Sequence, residues 1–330
     1  QEFAIRQREK MLELNPSNID NRFQLGRLYN ATRQWDKARE IIDALQATAN
    51  ELEFAKLDAA WYASQGTYDG KDGLILANEA FARHIAKLPA PVGAEPYIAN
   101  AEFMLERGRP DLAIAAASQA IERQTPETML GSKLLGDLYL RINNSSEAIK
   151  NYKAVVDNGA DTDFSVRPRL LQAYLMLDRF QDAQDIYNQL PEDKCKSMSI
   201  MFQAASIARG LDDSAKANDI LNQAVALYPN DASVYITRAE FMVGDPAQMD
   251  DLLSDISRAI NLDPTNYRAY RVRSAAYFSA ERKEDALKDL RTAIKLNPYL
   301  DSIIYSVLNE ILTDPNRGGE ALDIAREVVA

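Results

Sequence analysis

The chain carries few side chains suited to catalysis. His84 is its only histidine and Cys195 its only cysteine. A structural zinc site needs about four N or S ligands and a catalytic one about three. His84 therefore reads as a helix-packing or partly exposed residue and not as a metal ligand. Cys195 lies in the turn Glu192-Asp193-Lys194-Cys195-Lys196. Flanking lysines can favour a thiolate, but no second histidine or cysteine could complete a nucleophilic pair. The segment Asp69-Gly70-Lys71-Asp72-Gly73 lacks the alternating acidic ligands and terminal glutamate of a calcium loop, so it reads as a plain turn. Asp245, Asp250, Asp251 and Asp255 read as a solvated acidic helix start, where carboxylates suit the N-terminal end of the dipole. There is no P-loop, dinucleotide fingerprint or Gly-x-Ser-x-Gly elbow. The expectation is a non-catalytic chain with no metal and no cofactor.

Composition narrows the class of partner. Across 330 residues, 38 Lys and Arg face 49 Asp and Glu, a formal net charge of −11. Nucleic-acid binding rests on neutralising phosphates with basic side chains, so a nucleic-acid partner is not expected. No stretch approaches the roughly 18 apolar residues of a membrane span, so no membrane insertion by this chain is expected. A lone cysteine excludes an internal disulfide; it fits a reducing compartment, and a periplasmic one also.

The elements that would position a binding surface are announced by a period. Small residues recur at Ala4, Ala38, Ala77, Ala113, Ala148, Ala183, Ala217, Ala286 and Ala321, with Leu252 the one large rung. The steps are 34, 39, 36, 35, 35, 34, 35, 34 and 35 residues. Twelve positions earlier a second small residue stands at Gly26, Ala101, Gly136, Ala205 and Ser274, and three later a tyrosine at Tyr29, Tyr139, Tyr174 and Tyr277. Twelve positions after a rung comes Pro16, Pro89, Pro229, Pro264 or Pro298. A fixed period of this length implies stacked helical repeats. The small residues belong where two helices cross closely. The prolines end the second helix, and the Asn and Asp beside them can cap the next one. Tyr152 and Tyr187, with the four periodic tyrosines, read mainly as core.

Leu25-Gly26-x-x-Tyr29 with Ala38, and Leu135-Gly136-x-x-Tyr139 with Ala148 and Tyr152, resemble the tetratricopeptide repeat (TPR). The resemblance implies an all-α TPR solenoid, a right-handed superhelix of about nine helix–turn–helix repeats after a leading half-repeat at 1–18. The repeats fall at 19–52, 53–93, 94–128, 129–163, 164–197, 198–231, 232–266, 267–300 and, truncated, 301–330. The long step of 39 places an insertion at residues 67–73, between the two helices of the second full repeat. A further loop, residues 88–93, is rich in Pro and Gly.

Family register turns one face of each first helix toward a concave wall. It places there Phe23, Gln24, Arg27, Asn30, Lys133, Asp137, Arg141, Arg169, Gln172, Phe202, Gln203, Arg209, Arg268, Arg271 and Phe278. The resemblance thus implies a scaffold that binds a peptide or partner segment in its groove. The carboxylate clamp of chaperone-binding relatives and the asparagine ladder of glycosyltransferase-linked relatives are both missing from the corresponding positions. Arg268 and Arg271, at i and i+3, could grip an acidic partner segment or pair internally with Glu240; Arg273 points elsewhere. Both chain ends read as interior to a longer solenoid, which leaves two alternatives open. One is a recruiting or regulatory arm of a larger enzyme or membrane-associated assembly. The other is self-association through uncapped ends at Phe3, Ile5, Val328 and Val329.

Overall fold

The computed structural model describes residues 1–45, 50–123 and 128–297. Expectations for Pro298, Ala321, Val328, Val329 and the repeat 301–330 lie outside the described residues. The chain divides into two compact units, Gln1–Leu177 and Asp178–Ala330.

In the first unit the helices are α1 (Glu2–Leu14), α2 (Ile19–Ala31), α3 (Trp35–Leu45), α4 (Glu51–Ser64), α5 (Gly73–Ile85) and α6 (Glu95–Glu106). They continue as α7 (Pro110–Ile121), α8 (Thr128–Arg141), α9 (Ser145–Asp157) and α10 (Arg167–Leu175). The second unit holds α11 (Phe180–Tyr187), the single turn α12 (Glu192–Cys195), α13 (Met198–Gly210) and α14 (Ser214–Leu227). It continues with α15 (Ala232–Met242), α16 (Met249–Leu262), α17 (Tyr267–Ser279) and α18 (Lys283–Leu296).

The ladder sits where close crossing demands it. Ala38, Ala77, Ala113, Ala148, Ala183, Ala217, Leu252 and Ala286 are each at most 2% exposed. Across from the Ala148 rung, Gly136 is a notch for an aromatic ring: a Cβ there would stand 2.4 Å from Cε1 of Tyr152. Of the six tyrosines read as core, Tyr29, Tyr152 and Tyr174 are buried. Tyr139, Tyr187 and Tyr277 are only half-buried.

The turns follow one rule that the sequence hides. Five positions before a rung, the backbone enters the left-handed region at Arg33, Gly108, Asn143, Asp178, Asp212 and Glu281, with φ between 53° and 73°. The next N–H then reaches back to a carbonyl five residues earlier, as in Gln34 to Tyr29 (2.9 Å), Asn144 to Tyr139 (2.8 Å) and Arg282 to Tyr277 (2.8 Å). This six-to-one bond satisfies a helix-terminal carbonyl. Only one of these six residues is glycine, which explains why composition did not mark the turns. Where Leu252 replaces the small rung, the turn also changes: Gly244 is left-handed at φ 91° and Pro246–Gln248 form a 3₁₀ turn. Beyond the prolines, side-chain oxygens of Asn18, Asp231 and Asn266 accept from Asn21 N–H (2.9 Å), Ser233 N–H (2.8 Å) and Arg268 N–H (3.2 Å). These are N-caps.

Apolar burial passes from neighbour to neighbour, as repeat stacking requires. In the first unit Ile5, Leu25, Ile42, Phe54, Leu57 and Trp61 form one core. The next gathers Ala59, Phe81, Ala101, Met104, Ala117 and Leu138, so α4 contributes to both. Ile5, expected at an uncovered end, is therefore 5% exposed because α2 covers it, whereas Phe3 remains 75% exposed. The second unit has its own core around Met201, Val234, Ile236, Ile256 and Val272.

The segment expected as a plain turn is a β-hairpin, the one sheet among the described residues. Strands β1 (Thr67–Tyr68) and β2 (Lys71–Asp72) pair antiparallel across Asp69-Gly70. Both turn residues have positive φ, 50° and 73°, as a two-residue type I′ connection requires. An Asp-Gly pair is a strong hairpin signal, and it was legible in the sequence.

Candidate functional site

In the first unit the ends of α2, α4 and α6 and the hairpin enclose a cleft of about 690 Å³. Ala31, Ala60, Ala63 and Leu74 give it an apolar floor; Asn30, Ser64, Thr67, Asp72 and Arg107 give it polar edges. Asp72 is fixed at one rim. It caps α5 by accepting from Leu74 N–H (2.7 Å), and Arg109 Nη1 donates to it at 3.2 Å. Gly73 follows because its N–H donates to Gly66 O at 2.7 Å, and a Cβ would stand 2.4 Å from Tyr62 O. Arg107, also in the lining, lies 3.4 Å over the Phe103 ring, and its Nη1 donates to Phe103 O at 3.1 Å. Burial draws this guanidinium below its ordinary value against the pull of Glu106.

Asn30 is the group that stands out. It is 7% exposed, and both its amide nitrogen and its carbonyl oxygen are buried with no hydrogen-bond partner among the described residues. An unsatisfied buried polar group costs about 1–3 kcal/mol. One donor and one acceptor side by side match the N–H and C=O of a peptide group.

Of the residues expected on a concave wall, Asn30 alone lines this cleft. On the same helix, Phe23 packs against the first core and Arg27 pairs with Glu53 at 3.3 Å; Gln24 is half-buried. Further along, Arg169 and Tyr152 Oη both donate to Asp137, the latter at 2.6 Å. Burial first, then that bond, pushes the Tyr152 phenol far above its usual range. Lys133 donates to Ser165 Oγ at 2.8 Å, and Arg141 and Gln172 are exposed.

In the second unit Phe202 packs into the core, Gln203 and Phe278 are half-buried, and Arg209 stacks over Phe241 at 4.0 Å. Arg268 and Arg271 both donate to Glu240, at 3.0 and 2.7 Å, so the internal pairing is the one present. Two guanidinium groups share one carboxylate there. Arg273 turns away, as expected, to grip Asp289 with two bonds of 2.6 and 2.8 Å. The cleft residues that sequence reasoning missed, among them Ala63, Thr67 and Arg107, come together through the hairpin; the 39-residue step was their only signal.

Two other expectations need correction. Asp255 does not belong to a solvated cluster: it is 5% exposed and held by Arg238 through bonds of 2.6 and 2.7 Å. Lys196, beside Cys195, is drawn instead to Glu192 at 2.7 Å. His84 is a packing residue, 4% exposed and edge-on to Phe54. Its surroundings are polar, however, with Nδ1 2.6 Å from Glu51 Oε1 and Nε2 3.1 Å from Asp58 Oδ2. Burial alone would raise the Asp58 carboxyl; bonds and charge from His84 and Arg39 outweigh it and hold it below its ordinary value. No cluster of three or more His, Cys, Asp or Glu among the described residues could hold a metal ion, and no described helix is long and apolar enough to cross a membrane.

Comparison with curated protein sequences finds no match. Tetratricopeptide repeat family profiles match residues 105–163 and 200–231. Among solved structures, a tetratricopeptide repeat protein from Parabacteroides merdae ATCC 43184 aligns at TM-score 0.60 and 15% identity, covering 86% of this chain and 100% of its own. Yeast Tom70 aligns at TM-score 0.56 and 14% identity, covering 98% of this chain and 80% of its own. At these identities the likeness is one of fold. A buried small-residue ladder, shared turn geometry and a matched repeat in each unit lead to one conclusion: the chain carries tetratricopeptide repeats at residues 105–163 and 200–231 and has the tetratricopeptide repeat fold.

Proposed function

We propose that this chain is a non-catalytic protein-interaction scaffold and that the first unit takes an extended peptide segment in the hairpin-walled cleft. The observation that carries this reading is the Asn30 carboxamide, buried at the cleft wall with neither partner made. Turned toward the cleft, this amide would find in a bound main chain both an acceptor and a donor. The alanine-lined floor admits close approach of a backbone, and Arg107, also in the lining, offers donors to a carbonyl or carboxylate.

The test is recovery and affinity of a bound partner. Asn30→Leu removes the amide while keeping its branched shape at a larger volume, and Ala63→Arg fills the floor. Loss of two hydrogen bonds is worth about 1.5 kcal/mol, so Asn30→Leu should weaken binding about tenfold. Its thermal midpoint should hold or rise, since an unsatisfied group has gone. Partner affinity unchanged in both variants would remove the cleft as the binding site.

A further inference from the structure

A second cleft, of about 360 Å³, lies between α3 and α5 over α4 and is closed at one side by Tyr68 of the hairpin. Its lining is rich in basic side chains. Arg39, Arg83, His84 and Lys87 line it with Asp58 as the only carboxylate. Asp58 is already engaged, giving Oδ1 to Arg39 at 2.8 Å and Oδ2 to His84 at 3.1 Å. Arg39 is likewise engaged, since its other nitrogens go to Asp43 at 2.8 and 2.5 Å.

Arg83 and Lys87 differ from these. Arg83 stands in the last turn of α5 and Lys87 in the turn just past its end, and both line the cleft. Each comes no closer than 3.7 Å to a carboxylate, Asp58 for Arg83 and Glu51 for Lys87. Neither side chain donates a hydrogen bond among the described residues, and each is 48% exposed. Arg83 is held in place by the Tyr62 ring, 5.6 Å from its guanidinium carbon. The aromatic wall is also fixed. Tyr68 meets Trp61 at 5.0 Å and Tyr62 at 5.7 Å between ring centroids, both edge-on, and keeps 42% of its surface exposed.

We propose that this cleft binds an aryl phosphate, with the phosphate on Arg83 and Lys87 and the ring against Tyr68. A phosphate monoester carries about −1.5 to −2 charges at neutral pH, which two cations with free donors can meet. Arginine supplies a planar fork and lysine a point charge to phosphate oxygens. An exposed aromatic ring beside them offers the stacking surface that a plain ion lacks. The hairpin, absent from the other repeats among the described residues, supplies that ring. This site is separate from the peptide cleft and stands or falls without it.

The experiment titrates phenyl phosphate, inorganic phosphate, phenylacetate and a phosphotyrosyl tripeptide into the full chain, followed by calorimetry and backbone amide shifts. Phenyl phosphate should bind saturably, shift residues 62, 68 and 83–87, and exceed inorganic phosphate and phenylacetate by about tenfold. Arg83→Gln/Lys87→Gln and Tyr68→Ala should each weaken it, while Lys150→Ala should not. Both altered surfaces are exposed, and a thermal midpoint within the wild-type range confirms that the variants are folded. The tripeptide binding more tightly than phenyl phosphate assigns the ring to a phosphorylated protein; equal affinity assigns it to a small aryl phosphate. Inorganic phosphate binding as well as phenyl phosphate, an unchanged affinity in Arg83→Gln/Lys87→Gln, or no saturable shift would each overturn the proposal.

Discussion

Helices α8 and α9 meet through a notch and a ring: Gly136 makes room, Tyr152 fills it, and the phenol hydroxyl reaches Asp137 at 2.6 Å. Helices α4 and α5 meet across charges instead. Glu51 and Asp58 of the first bracket His84 of the second, and the turn between them is drawn out into a hairpin. The first pair has the tight turn, with Asn143 left-handed and Asn144 N–H closing back on Tyr139. Both clefts described above border the second pair, one touching Thr67 and Asp72, the other Tyr68. The drawn-out turn of the second pair supplies the wall that both clefts share.

The sharpest way to break this contrast is to add one methyl group to each pair. Gly73→Ala would press a Cβ to 2.4 Å from the Tyr62 carbonyl oxygen and 3.0 Å from that of Gly66, both backbone. Backbone yields poorly, so the loss should reach about 3 kcal/mol, the upper end for overpacking. Gly136→Ala meets a side chain, the Tyr152 ring, which can tilt; about 1–2 kcal/mol is expected after a helix-propensity gain of about 1 kcal/mol. Gly26→Ala, whose nearest atoms are Leu57 and Ile41 methyl carbons at 3.2 and 3.3 Å, should be close to neutral. Urea denaturation of the three variants gives the order. A larger loss at Gly136 than at Gly73 would mean that the hairpin junction is the softer of the two.

A smaller effect separates the pairs by pH. The Asp58 carboxyl sits below its ordinary value of 3.8 in the folded chain. A depressed carboxyl stabilises the fold at every pH above its unfolded value, and the benefit disappears as pH falls through the folded value. Asp58→Asn should therefore cost about 2 kcal/mol at neutral pH and nearly nothing at the acid end. Stability followed from pH 7 to 2 by thermal melts checks this. A constant difference between variant and wild type would mean that Asp58 acts by shape and not by charge.

The turns should respond least, and with opposite signs. Asn143 holds φ 58° with a side chain attached, so Asn143→Gly should gain about 0.5 kcal/mol or less, asparagine being tolerant of this region. Gly70, at φ 73° in the hairpin, should lose about 1 kcal/mol on replacement by alanine. Hydrogen exchange should localise the first change to α8 and α9 and the second to residues 66–74, because repeats couple mainly to neighbours.

The period, the helix pairs and the core were legible because stacking repeats a single steric demand. A methyl or hydrogen at all but the Leu252 crossing leaves a trace every 34 to 36 residues, broken once by the step of 39, and Ala38, Ala113 and Ala148 are buried as that trace implies. The prolines and their Asn or Asp caps are equally local, so composition shows them. What the sequence could not decide is which polar groups find partners. Asn30 and Arg271 both occupy first helices, yet Arg271 meets Glu240 31 residues earlier, while the Asn30 amide meets no hydrogen-bond partner among the described residues. His84 reads in the sequence as a packing residue; its partners lie 26 and 33 residues away on another helix. Periodicity is set within one repeat, where neighbours in sequence are neighbours in space. Pairing and cleft formation depend on side chains that only the packing of several helices brings together.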